Sequence, residues 1–147
     1  MSRHAVRDRV DVLHIQRATR EFAAALGFDG RACSELAIVA SELGTNILKY
    51  GVSGSIEVMA LPAGEPAGVL IVAHDTGPPF RNLEHAMQDG WDDMGPIEPL
   101  LLLRRGGIGG GLGAVLRLMD DLRVEHEPGG GKRVCATRYL TRRRVSK

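Results

Sequence analysis

Glu42 and Asn46 stand four residues apart, and Lys49 follows three residues later. On a helix the i, i+4 spacing places Glu42 and Asn46 on one face, with Lys49 on roughly the same side. A carboxylate there can take a proton from an attacking hydroxyl. An amide oxygen is a hard ligand of the kind Mg²⁺ accepts while it keeps positions for phosphate oxygens. A lysine neutralises phosphate charge. The same three residues also describe a plain solvated stripe opposite an apolar one.

A second cluster pairs Asp75 with Gly77, directly after the β-branched run Val69 to His74. A carboxylate at a strand end can accept a hydrogen bond from an exocyclic amine such as that of adenine, and Gly77 would let a ligand come close to the backbone. An Asx turn is the plainer use of an aspartate at this place. The third cluster is Gly106, Gly107, Gly109, Gly110, Gly111 and Gly113, with Leu112 among them, running into a helical stretch. Bare N–H groups next to a helix N-terminus make an anion site; a flexible linker is the alternative.

These residues need elements to hold them. Arg3 to Val10 reads as an edge strand. Leu13, Ile15, Ala18, Phe22, Ala25 and Leu26 recur at near-helical spacing and stop at Gly27. Asp29 is a plausible N-cap for a long helix to about Tyr50, with Leu36, Val39, Ala40, Leu43, Ile47 and Leu48 on its apolar side and Gly51 as its C-cap. Ser55–Leu61 and Val69–His74 read as strands joined by a Pro- and Gly-containing hairpin loop. Residues from about 81 to 111 form a long connection of the kind that serves as a lid. A helix from about Leu112 to Met119 follows, then strands Leu122–His126 and Arg133–Leu140 around a Pro-Gly-Gly-Gly turn. This order predicts an α+β two-layer sandwich, a mixed β-sheet covered on one face by helices, as a single domain over residues 1–147 with a basic tail over 141–147.

Composition narrows the function. The 147 residues carry 44% apolar and 25% charged side chains and a formal net charge of +1. That balance suits a globular domain and argues against direct nucleic-acid binding, although Arg142, Arg143 and Arg144 form a basic end. No apolar run approaches the roughly 18 residues of a membrane span, so a cytoplasmic protein is expected. Cys33 and Cys135 lack metal-ligand spacing and read as buried free thiols. Gly131-Lys132 is followed by Arg133, so there is no Walker A motif, and the His-Arg-Asp and Asp-Phe-Gly pair of eukaryotic-type kinases is absent. Gly109 to Ala114 followed by Glu125 imitates a dinucleotide-binding unit, but only 22 residues remain after Glu125, too few for its other strands and helices.

Three stretches together resemble the GHKL (histidine-kinase-like) ATPases. Glu42-Leu-Gly-Thr-Asn46-Ile-Leu-Lys49-Tyr50 is similar to their N-box, His74-Asp75-Thr-Gly77-Pro-Pro to their G1 box, and Gly107-Ile-Gly109-Gly-Gly111-Leu-Gly113 to their G2 box. Val39-Ala-Ser-Glu-Leu-Gly-Thr-Asn46, Leu83-Glu-His-Ala-Met-Gln-Asp-Gly90 and Leu116-Arg-Leu-Met-Asp-Asp121 further resemble the RsbT-like switch-kinase branch of the bacterial anti-sigma regulatory serine/threonine kinases, related to RsbW and SpoIIAB. The resemblance spans about residues 10 to 140 and implies a Bergerat fold.

It also implies roles. Glu42 would be the general base and Asn46 the Mg²⁺ ligand. Asp75 would read the adenine amine of ATP or ADP beside Gly77, and Gly107, Gly109, Gly110, Gly111, Leu112 and Gly113 would wrap the phosphates. Lys49 and Lys132 would border the nucleotide. The implied substrate is a Ser or Thr of a STAS-domain anti-sigma antagonist, with a PP2C-type phosphatase or a sigma factor as a second partner. A nucleotide-regulated binding module, an anti-sigma factor or phosphatase activator with little kinase activity, is the alternative. The chain departs from the pattern at three places. Pro79 replaces the second G1 glycine, and the lid from Trp91 to Arg105 is longer. Lys132 replaces the Thr of the final Gly-Thr signature, removing a hydroxyl and adding a cation.

Overall fold

The computed structural model describes residues 2–78, 91–92, 95–96 and 111–141. Gly106, Gly107, Gly109, Gly110, Pro79, the basic tail from Arg142 and most of the expected lid lie outside them.

The chain opens with strand β1 (Ser2–Val6), then helices α1 (Arg9–Leu26) and α2 (Gly30–Tyr50). Both helices begin where a carboxylate can take an orphan N–H. Asp8 accepts from the Asp11 N–H at 2.9 Å, and Asp29 from the Ala32 N–H at 2.8 Å. Asp11 in turn accepts the Arg7 N–H, and that bond holds its carboxyl below the usual carboxylate range. Gly27 ends α1 in the left-handed region at φ 102°, returning its N–H to Ala23 and Ala24. Gly51 ends α2 as expected, but in an extended conformation, because the chain turns straight into the sheet.

Strands β2 (Gly54–Ala60) and β3 (Gly68–Asp75) form a hairpin, and the short strands β4 (Trp91–Asp92) and β5 (Gly95–Pro96) pair with each other. Helix α3 (Leu112–Leu118) leads into the hairpin β6 (Asp121–His126) and β7 (Lys132–Tyr139). The main sheet has the order β1-β2-β3-β7-β6.

The α+β sandwich is as the sequence predicts, but every pairing in the main sheet is antiparallel where a mixed sheet is expected. Two features of the connections explain the difference. The α1–α2 hairpin returns the chain to the end of the sheet it left, so β2 runs against β1. After β3 a crossover through α3 sends β6 in the same direction as β3. Those two strands do not touch, because β7 turns back and fills the slot between them.

The core lies between this sheet and the helices. Ile56 and Val58 of β2, Val69, Ile71 and Ala73 of β3, and Val134 and Ala136 of β7 alternate toward Ile15, Leu36, Val39, Ala40 and Leu43. A fully buried side chain of this size contributes about 1.5–3 kcal/mol. Thr19 is also fully buried, and its hydroxyl donates to the Ile15 carbonyl at 2.7 Å. Both cysteines are free. Cys33 is buried beside the Phe28 carbonyl, whereas Cys135 is half-buried on the sheet, where burial and then the Glu125 charge push its thiol up. No helix among the described residues is long and apolar enough to cross a membrane.

Candidate functional site

Helix α2 carries the first predicted cluster across the sheet toward its Gly54 end, with Gly44 against Ile56 and Ile47 at Gly54. Gly44 faces α1, since a Cβ there would stand 3.0 Å from Val12 Cγ2. Glu42 lies about 160° round the helix from Gly44, and α3 also packs on α2. Glu42 is only 5% exposed, so the solvated-stripe alternative fails for it. Asn46 is half-buried and Lys49 exposed, one to two turns nearer the C-terminus. Along the axis, Asn46 stands about 7.5 Å and Glu42 about 13.5 Å from Gly51.

Gly51 is where α2 meets the second cluster. Asp75, the last residue of β3, points to the helix side of the sheet and is 5% exposed. Its neighbours must be small. A Cβ on Gly51 would lie 2.8 Å from Asp75 Cβ, and one on Gly54 would lie 2.6 Å from the His74 carbonyl oxygen and 2.7 Å from Ile47 Cγ2. Ile47 follows Asn46 directly, so the α2 row abuts the Asp75 corner through a core side chain.

Asp75 Oδ1 accepts two hydrogen bonds. One comes from the Gly77 N–H at 2.9 Å, which is the Asx turn foreseen as the plainer use. The other comes from Lys132 Nζ, also at 2.9 Å, and the same ammonium donates to the Pro78 carbonyl at 2.9 Å. Asp75 and Lys132 are directly opposite in the β3–β7 register, and their side chains are 7% and 4% exposed. Desolvating two charges this fully is costly; their attraction and the added bonds from Gly77 and to Pro78 offset it. Among the described residues Oδ2 of Asp75 receives no hydrogen bond.

Gly131 makes this approach possible. Its φ is +96°, and a Cβ there would stand 2.7 Å from the Asp75 carbonyl oxygen. Gly131→Ala is therefore expected to cost roughly 2–3 kcal/mol, from backbone strain and the clash together. The check is urea denaturation, with a lower midpoint and an unchanged slope.

The third cluster is described only from Gly111 onward. Gly111 caps α3 with φ 66°, and Gly111, Leu112 and Gly113 are all buried. The structure thus joins Asp75, Gly77 and Lys132 by hydrogen bonds, and Ile47, the residue after Asn46, packs at Gly54 next to that corner. Sequence reasoning missed Gly51, Gly54 and the Pro78 carbonyl as parts of the corner. The closely spaced glycines 51 and 54 were a visible signal, but their purpose depends on which strand faces them.

The chain matches the histidine kinase-like ATPase domain family over residues 6–138. It is also similar to the serine/threonine-protein kinase RsbT of Bacillus subtilis (strain 168), with 28% identity over 130 residues covering 88% of this chain and 90% of that protein.

Proposed function

The chain belongs to the histidine kinase-like ATPase domain family, and from that membership we propose that it is an ATP-dependent protein serine/threonine kinase of a bacterial partner-switching pathway. The observation that carries the proposal is the corner at Asp75. A buried carboxylate is held on Oδ1 by Gly77 and Lys132, which leaves Oδ2 to accept the amino group of adenine. Its similarity to RsbT, whose name is that of a serine/threonine kinase, supports the choice of reaction.

In this proposal the glycines from Gly107 to Gly113, with Leu112, wrap the phosphates, and Lys49 adds positive charge at the exposed rim. No group of three or more His, Cys, Asp or Glu among the described residues could hold a metal by itself. The donor set fits a Mg²⁺ that arrives with the nucleotide and takes one protein oxygen, that of Asn46. When bound, Mg²⁺ neutralises phosphate charge. Glu42 takes the proton of a Ser or Thr hydroxyl. The hydroxyl oxygen bonds to the γ-phosphorus, the bond to the β-phosphate oxygen breaks, and ADP leaves.

The proposed acceptor is a STAS-domain anti-sigma antagonist, and the proposed second partner a PP2C-type phosphatase or sigma factor, in the cytoplasm. A second reading, a nucleotide-regulated binding module with little turnover, is favoured by one feature. Lys132 stands where the resembled pattern has a Thr, so the site lacks that hydroxyl.

The test uses γ-labelled ATP, Mg²⁺ and a STAS-domain protein. Saturable ATP binding with label moving to the partner is expected. ATP binding without transfer selects the binding-module reading, and absence of saturable ATP binding overturns both.

A further inference from the structure

We propose that Lys132 is a positioning residue that sets the base selectivity of the site, an inference that rests on the nucleotide proposal above. Among the described residues its ammonium donates to Asp75 Oδ1 and to the Pro78 carbonyl, each 2.9 Å away. It reaches them because the Gly131 backbone comes closer to Asp75 than any side-chain-bearing residue could. Residue 132 is only 3% exposed, so this is no wandering surface cation.

The consequence falls on the opposite oxygen. With Oδ1 taking the Lys132 and Gly77 donors, the carboxylate cannot rotate without breaking both bonds, one of them charge-assisted. Oδ2 is then held in one direction as an acceptor. A ligand atom that meets it must donate. A 6-aminopurine satisfies that demand, whereas a 6-oxopurine sets a carbonyl oxygen against an anionic one and leaves a buried acceptor unpaired. Sites built around one such bond reject the analogue lacking it by large factors. Without Lys132, Oδ1 keeps only the Gly77 N–H, the carboxylate can turn, and the distinction between the two purines weakens. The tie to Pro78 extends the same control to the loop that follows β3.

The experiment measures dissociation constants for ATP and ITP, which differ at the purine 6-position, on the wild type, Lys132→Met and Lys132→Gln, with folding checked by circular dichroism. The wild type is expected to prefer ATP by about a hundredfold. In Lys132→Met that ratio is expected to fall by about tenfold or more, chiefly through lost ATP affinity. Lys132→Gln keeps a donor but loses the charge and one anchor, and its ratio is expected to fall at least about threefold, which tests the point even if the Met variant does not fold. A purely structural lysine would weaken both nucleotides by the same factor. That equal loss, or an unchanged ratio in a folded variant, overturns the inference and leaves the nucleotide site standing. Failure of the wild type to bind either nucleotide overturns the site proposal itself.

Discussion

Glu42→Gln is expected to lower phosphoryl transfer to the partner hydroxyl by about 10²–10⁴-fold, the usual contribution of a positioned general base. Nucleotide affinity should stay within about threefold, because the exchange keeps shape and reach while removing the charge and the ability to accept a proton. The burial of Glu42 sharpens the contrast. A carboxylate 5% exposed on a long helix is held in place by its surroundings rather than swinging in solvent. Single-turnover transfer of label from ATP, measured beside an equilibrium ATP titration, separates the two quantities. Equal transfer by wild type and variant removes Glu42 as the base. Loss of ATP binding in step with transfer gives it a binding role instead.

A second large effect is expected on stability, at the other end of the sheet. Arg138 of β7 is 8% exposed, and both its terminal nitrogens donate to Glu35 Oε1 of α2 at 3.2 Å. Nη1 also donates to the Leu118 carbonyl at 3.3 Å at the end of α3. Nε makes no hydrogen bond among the described residues, so Glu35 supplies the charge compensation for a nearly buried cation. Glu35→Ala strands that cation and is expected to cost about 2–3 kcal/mol, somewhat below a fully buried pair because Glu35 is one-fifth exposed. The thermal midpoint should fall by roughly 10 °C. In Glu35→Leu/Arg138→Met most of the loss should return, since apolar replacement of both partners removes the desolvation cost with the charge. Calorimetry of Glu35→Leu, Arg138→Met and their double closes the cycle. A double variant as unstable as the sum of the singles would show that the pair is not the source.

Much of this was legible in the sequence because it is local. Asp29 and Gly27 announce the helix ends through chemistry that acts within four residues. The β-branched run from Val69 to His74 gives a buried strand. The order of the three glycine and carboxylate clusters was enough to point to the family. The ion pair at Asp75 was not legible, because Asp75 and Lys132 are 57 residues apart. Only the insertion of β7 beside β3 brings them opposite, and no local pattern distinguishes that order from a β6 neighbour. The antiparallel sheet was missed for the same reason. Lys132 read as a departure that removed a hydroxyl and added a cation at the nucleotide border, whereas the fold turns that cation onto the Asp75 carboxylate.

The place of β7 also bears on how the molecule is born. This strand is the last of the main sheet in chain order, yet it is bonded on both flanks, to β3 on one side and β6 on the other. Until residue 139 has emerged, the nascent sheet has an unpaired row of backbone groups along β3, and the acid of Asp75 lacks its cation. Closure of the sheet therefore waits until β7 has emerged, and the exposed β3 edge in the meantime is a template for wrong strand pairing of the kind chaperones suppress.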